Sequence, residues 1–155
     1  MGPAPVTPDK ELLAELRRRR AELRESIVTL EHALATSLSA DPARWAERVQ
    51  VALVELAADF RAHVEITEGA DGLYSDILRA APRLSGAVHR LGREHEVIRR
   101  QIDDALARLG DLQGFEEGQQ LREQGTDLLG DLMRHRQRGS DLVFSAYELD
   151  IGGED

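Results

Sequence analysis

Four stretches of this chain carry apolar residues at alternating steps of three and four, a spacing that leaves little choice but long helices packed along one shared face. The third stripe runs Leu84, Val88, Leu91, His95, Ile98, Ile102, Ala105, Leu109. The last runs Leu121, Gly125, Leu128, Leu132, His135, Gly139, Leu142, Ala146, and the second Val49, Ala52, Leu56, Phe60, His63, Thr67. On the first, Leu13, Leu16, Arg20, Leu23, Ile27, Leu30 and Leu34 keep the same beat. Each stripe thus holds one ionisable residue in a slot that packing alone would give to leucine. A buried imidazole needs a partner for each ring nitrogen, so three at one depth of a bundle point to a shared partner, most simply a metal ion.

Local signals divide the chain accordingly. Thr7-Pro8-Asp9 predicts a helix start with Thr7 as N-cap and Pro8 in the first turn, running to about Ser39. Asp41-Pro42 repeats that signal for a second helix whose inward face ends near Thr67. The segment Glu68-Gly69-Ala70-Asp71-Gly72 interrupts it before a short piece, Leu73 to Ala80. Pro82 opens a third helix reaching Leu109, and a fourth extends from about Glu116 to Tyr147. The acidic tail from Glu148 to Asp155 is too short and Gly-broken to continue the pattern and is expected to fray, as are residues 1–7. An overlay of the first pattern on the third, offset by 75 residues, puts Leu16 on Leu91, Leu23 on Ile98, Ile27 on Ile102, Leu34 on Leu109 and Arg20 on His95. The second and fourth align His63 near His135. Two helix hairpins of similar design imply an all-α, up-down-up-down four-helix bundle, a single domain spanning residues 1–155.

Composition narrows the chemistry. With no cysteine, thiolate metal sites, iron–sulfur clusters and disulfides are excluded. A net charge of −9 argues against nucleic acid as a partner, because such binding is driven by neutralising phosphates. The N-terminus has no basic start followed by an apolar run, and no stretch reaches the ~18 apolar residues of a membrane span, so a soluble, cytoplasmic protein with no membrane partner is expected. Basic residues are almost all arginine, Lys10 being the only lysine, a skew of GC-rich bacterial genes that carries no function.

Helical rise tests which residues can meet. His63 lies 22 residues beyond Asp41, or roughly 33 Å along its helix, and an antiparallel first helix presents Arg20 at that level. His32 sits roughly 20 Å away from that level and off the stripe, so it is excluded. His89 is one residue off its own stripe and reads as solvated. Carboxylates are placed less regularly. Glu68 follows His63 by five residues, about 140° around the helix, and Asp141 follows His135 by six, where only a π-bulge or break at Gly139 would turn it inward. Thr67 and Gly139 occupy the four-residue step where a carboxylate would fit best.

The segments Arg93-Glu94-His95-Glu96-Val97-Ile98, His63-Val64-Glu65-Ile66-Thr67-Glu68 with Leu73-Tyr74, and His135-Arg136-Gln137-Arg138-Gly139-Ser140-Asp141-Leu142-Val143-Phe144 resemble, in order and spacing, those of the hemerythrin-like, or HHE cation-binding, domains. The resemblance covers nearly the whole chain. It implies a bundle holding non-haem iron, one or two ions per chain, with His63, Glu68, His95, His135 and Asp141 as metal ligands. It also implies a small diatomic or peroxide ligand, O2, NO or a peroxide, that is bound or reduced at an open metal position. The sequence departs from the family where Arg20 replaces the first-helix histidine and where both carboxylates shift by about a residue. Around such a site, Phe60 would keep the pocket dry, and Arg20 would donate hydrogen bonds to a bound anion. Two other readings of the same residues are an iron-dependent oxidative enzyme with Arg20 holding an acidic substrate, and a metal-free interaction bundle in which Arg20 pairs with Glu68 or Asp141. A haem lacks any attachment motif here, and no nucleophile arrangement suggests metal-free catalysis.

Overall fold

Two aspartates set the register of the first half. In a computed structural model that describes residues 7–151, helix α1 (Lys10–Ala35) is opened by Asp9, whose carboxylate accepts the Leu12 N–H at 3.4 Å. The start falls beyond Thr7 and leaves Pro8 outside the helix, because aspartate is the stronger cap. The helix also stops short of Ser39: Thr36 turns into extended backbone, and its hydroxyl donates to the Ala33 carbonyl at 2.7 Å. Helix α2 (Pro42–Glu68) begins as the sequence indicates, with the Asp41 carboxylate accepting the Arg44 N–H at 3.1 Å and Pro42 in the first turn.

A tight glycine turn follows α2. A β-carbon on Gly72 would stand 2.6 Å from the Ile66 carbonyl oxygen and one on Gly69 2.6 Å from that of Glu65, so only glycine lets the chain double back here. The turn delivers the short helix α3 (Leu73–Ala80) across the end of the long helices. Pro82–Leu84 form a single 3₁₀ turn, so α4 (Ser85–Gly110) starts as a regular helix three residues after the expected Pro82. Helix α5 (Phe115–Tyr147) runs unbroken through Gly139.

The four long helices close into a ring in which α1 packs on α2, α2 on α4, α4 on α5, and α5 on α1. Helices α1 and α2 run antiparallel, as do α4 and α5. Ser26 meets Asp59 while the Trp45 indole N–H donates to the Leu34 carbonyl at 3.4 Å. Across α4 and α5, Arg138 donates to Glu94 at 3.1 Å, Gln101 to Asp131 at 2.9 Å and Arg108 to Gln124 at 3.2 Å. The chain is all-helical, with no strand among the described residues, and no helix is long and apolar enough to cross a membrane.

The interior holds two apolar clusters. The larger is built from Leu23, Leu30, Leu56, Ile98, Leu128 and Leu132 among others, with Trp45 sealed at its far end. Each fully buried leucine contributes about 1.5–3 kcal/mol. The smaller gathers Leu16, Tyr74, Ile77, Leu91 and Tyr147 beneath α3. It also holds Ile151. The start of the acidic tail is therefore packed where fraying was expected, since Leu149 and Ile151 give it apolar side chains to bury. Residues 1–6 and 152–155, on which the rest of the terminal expectations fall, lie outside the described residues.

Candidate metal centre

Between the two clusters, His63 of α2, His95 of α4 and His135 of α5 converge, each offering a ligand nitrogen within 4.8 Å of the others. His95 and His135 are 3% and 2% exposed. The three rings stand nearly edge-on to one another, with centroids 4.7–5.3 Å apart. His63 Nε2 lies 3.2 Å from His135 Nε2. The heptad stripes account for this meeting: each histidine occupies an inward position at the same level of the ring, where apolar neighbours on both sides keep the helices from turning it outward.

The carboxylates stand behind the rings. Glu94 Oε1 is 2.9 Å from His135 Nδ1, and Glu68 Oε2 is 3.0 Å from His95 Nδ1. Glu94 is further held by Arg138 at 3.1 Å and lies 3.8 Å from Arg90. Tyr74, brought in by α3, stacks on His95 with its hydroxyl 3.4 Å from Nε2. Phe60 forms the apolar wall, its ring 5.8 Å from His63, 5.7 Å from His95 and 6.3 Å from His135. The Thr67 hydroxyl donates to the His63 carbonyl at 2.8 Å, which turns it to its own helix backbone and steadies the last turn before Glu68.

The structure brings together His63, His95, His135, Phe60, Thr67 and Glu68 of the residues expected at the site, but it does not bring Asp141. That side chain is exposed and accepts from Gln137 Nε2 at 3.0 Å. Because α5 stays regular at Gly139, six residues carry Asp141 well around the helix from His135. Glu68 is present on the Nδ1 side of His95, where it orients the ring. Arg20 lies at the expected level against α5, donating to Ser140 Oγ at 2.6 Å and to the Arg136 carbonyl at 3.4 Å, while Arg136 donates back to the Arg20 carbonyl at 3.0 Å. The expected pairing of Arg20 with Glu68 or Asp141 is replaced by this clamp, since those carboxylates are engaged by His95 and Gln137. His32 and His89 are exposed.

Sequence reasoning passed over Glu94. It sits beside His95 in the chain but serves His135, because a residue adjacent to an inward position lies on the helix flank and faces the neighbouring helix. The mirrored pairing of Glu94 before His95 with Arg138 after His135 is the signal that would have found it.

Burial is the first cause holding His63 well below the ordinary histidine pKa, and the charges of His95, His135, Arg20 and Arg136 add to it. His95 is lowered by burial against the opposing pull of Glu68. His135 is pushed down to about 4 by burial and by His95, with Glu94 opposing. All three imidazoles are therefore neutral near pH 7, each with one nitrogen able to give a lone pair. A tetrahedral metal at bonds of about 2.0–2.1 Å needs nitrogens about 3.4 Å apart. The His63 to His135 separation is already close to that, so the donor set fits one ion after small ring adjustments. Three imidazole nitrogens suit iron, zinc, copper or nickel. No protein-family model, curated protein or solved structure matches this chain, and the functional reading rests on the site itself.

Proposed function

We propose that this chain is a hemerythrin-like, up-down-up-down bundle whose histidines hold non-haem iron and which binds or reduces O2, NO or a peroxide. The observation that carries this reading is the convergence of three imidazoles, from three helices, within 4.8 Å. His63, His95 and His135 would hold the metal, and an iron there with open positions would supply affinity for a small diatomic or peroxide molecule, and its reduction when an electron donor is present. Phe60 and Tyr74 exclude water from the inner face of the rings. The test is metal content and the ultraviolet–visible spectrum of untagged protein expressed with iron, compared with His95→Ala. Iron in the parent and its loss from the variant support the reading.

A second reading has its own observation. The 3.2 Å contact between His63 and His135, together with the Tyr74 hydroxyl at His95, satisfies ring nitrogens with no ion present. A metal-free interaction bundle would keep this network and need no iron. It predicts that neither the parent nor His95→Ala retains metal, and that the substitution changes stability alone.

A further inference from the structure

The contacts around the three rings divide donors from supports. An imidazole presents its two nitrogens in directions that point away from each other, so a carboxylate hydrogen-bonded to Nδ1 cannot reach a metal bound at Nε2 of the same ring. Glu94 stands at Nδ1 of His135 and Glu68 at Nδ1 of His95, at 2.9 and 3.0 Å. Both accept a hydrogen bond from the ring Nδ1–H and thereby fix the tautomer that leaves the Nε2 lone pair for a metal. In His135 that nitrogen already faces His63 Nε2. In His95 it lies 3.4 Å from the Tyr74 hydroxyl, which a metal ion there would displace.

Resting on the metal-binding reading, we infer that the centre takes a single divalent ion through Nε2 of His95 and His135 together with His63, and that Glu68 and Glu94 are positioning residues outside the coordination sphere. The carboxylates support a count of one, because two metal ions would need carboxylates free to bridge them. Glu68 and Glu94 are committed to the rings, and Asp141 faces solvent. Glu94 is in addition tethered by Arg138 at 3.1 Å, and moving it onto a metal would break that ion pair as well as the bond to His135. Carboxylates in this position orient the ligand ring and raise its basicity, and losing one weakens metal affinity by about 10- to 100-fold.

Anaerobic titration of the full chain with Fe(II) alone, for the parent, Glu94→Gln and Glu68→Gln, tests this. Expected are one ion per chain in all three, with affinity reduced about 10- to 100-fold in each variant and the thermal melt of the metal-free protein little changed for the exposed Glu68. Should Glu94→Gln fail to fold, Glu68→Gln carries the test. Nitrogen-15 spectra of the zinc-loaded parent give an independent reading: His95 and His135 should show protonated Nδ1 and metal-bound Nε2. Two ions per chain, an unchanged affinity in both variants, or metal on Nδ1 of either ring would overturn the inference while leaving metal binding intact. If the parent takes up neither Fe(II) nor zinc, the metal-binding reading itself fails and the inference falls with it.

Discussion

At Leu56, Leu128 and Leu132 the inward positions of the bundle are filled by side chains that ask only for volume, whereas further along the same helices His63 and His135 meet as side chains whose nitrogens need partners. The helices and their inward faces are shared, so what separates the two regions is the support behind each side chain. The leucine region is backed by apolar neighbours from every long helix. The histidine layer is backed by Glu68, Glu94, Arg138 and the Tyr74 hydroxyl, which arrive from helix flanks and from α3. An apolar core is set by its own stripe, and a polar layer is set by what flanks it.

The comparison is broken most forcefully in the leucine region. Leu128→Ala, at a fully buried position, should cost about 2–5 kcal/mol in denaturant unfolding while metal uptake by the folded protein stays the same. A loss of metal under conditions where the variant remains folded would show that the two regions are not separable.

Acid should act on the other region. His135 is held at about 4 in the folded state against an ordinary 6.5, and burial lowers the other two as well. The unfolded chain therefore takes up protons first, so the metal-free protein should lose stability as pH falls below about 6.5, and the share due to His135 should level off below about 4. The slope approaches about 1.4 kcal/mol per pH unit for each histidine concerned. Denaturant midpoints across that range, compared with those of His135→Leu, isolate its share; equal slopes in the two proteins would mean that His135 is not buried as neutral imidazole.

His95→Leu is expected to move metal-free stability by about 1 kcal/mol, because Glu68, one of the two partners it abandons, is exposed and regains water, which leaves the Tyr74 hydroxyl alone to re-pair. The same variant should lose metal. A destabilisation of several kcal/mol would reveal a histidine network that holds the fold together rather than one that serves a ligand. Smallest of all, Asp141→Asn should change stability by no more than about 0.5 kcal/mol and leave metal content unaltered. Altered metal content there would place Asp141 at the site after all.

The sequence carried the helices and the histidine level because both follow from period and rise, quantities local to each helix. Asp41 and Pro42 mark the start of α2, and Leu73 to Ala80 the whole of α3, since caps and glycine turns act within a few residues. Where two signals compete, as Thr7 and Asp9 do, the stronger cap decides and the boundary shifts. The carboxylates follow a different rule. Asp141 could turn inward only at a break in the helix, and α5 stays helical through Gly139. Glu94 escaped attention because its role depends on which helix α4 faces, and that is a property of the assembled ring.

The most direct measurement is the iron content of untagged protein, purified aerobically without chelator and then loaded anaerobically with ferrous ion. Close to one iron per chain, lost on substituting any of the three histidines, is the expected result. No iron retained after loading would contradict a metal centre at this layer and leave the hydrogen-bonded histidine network as the better account.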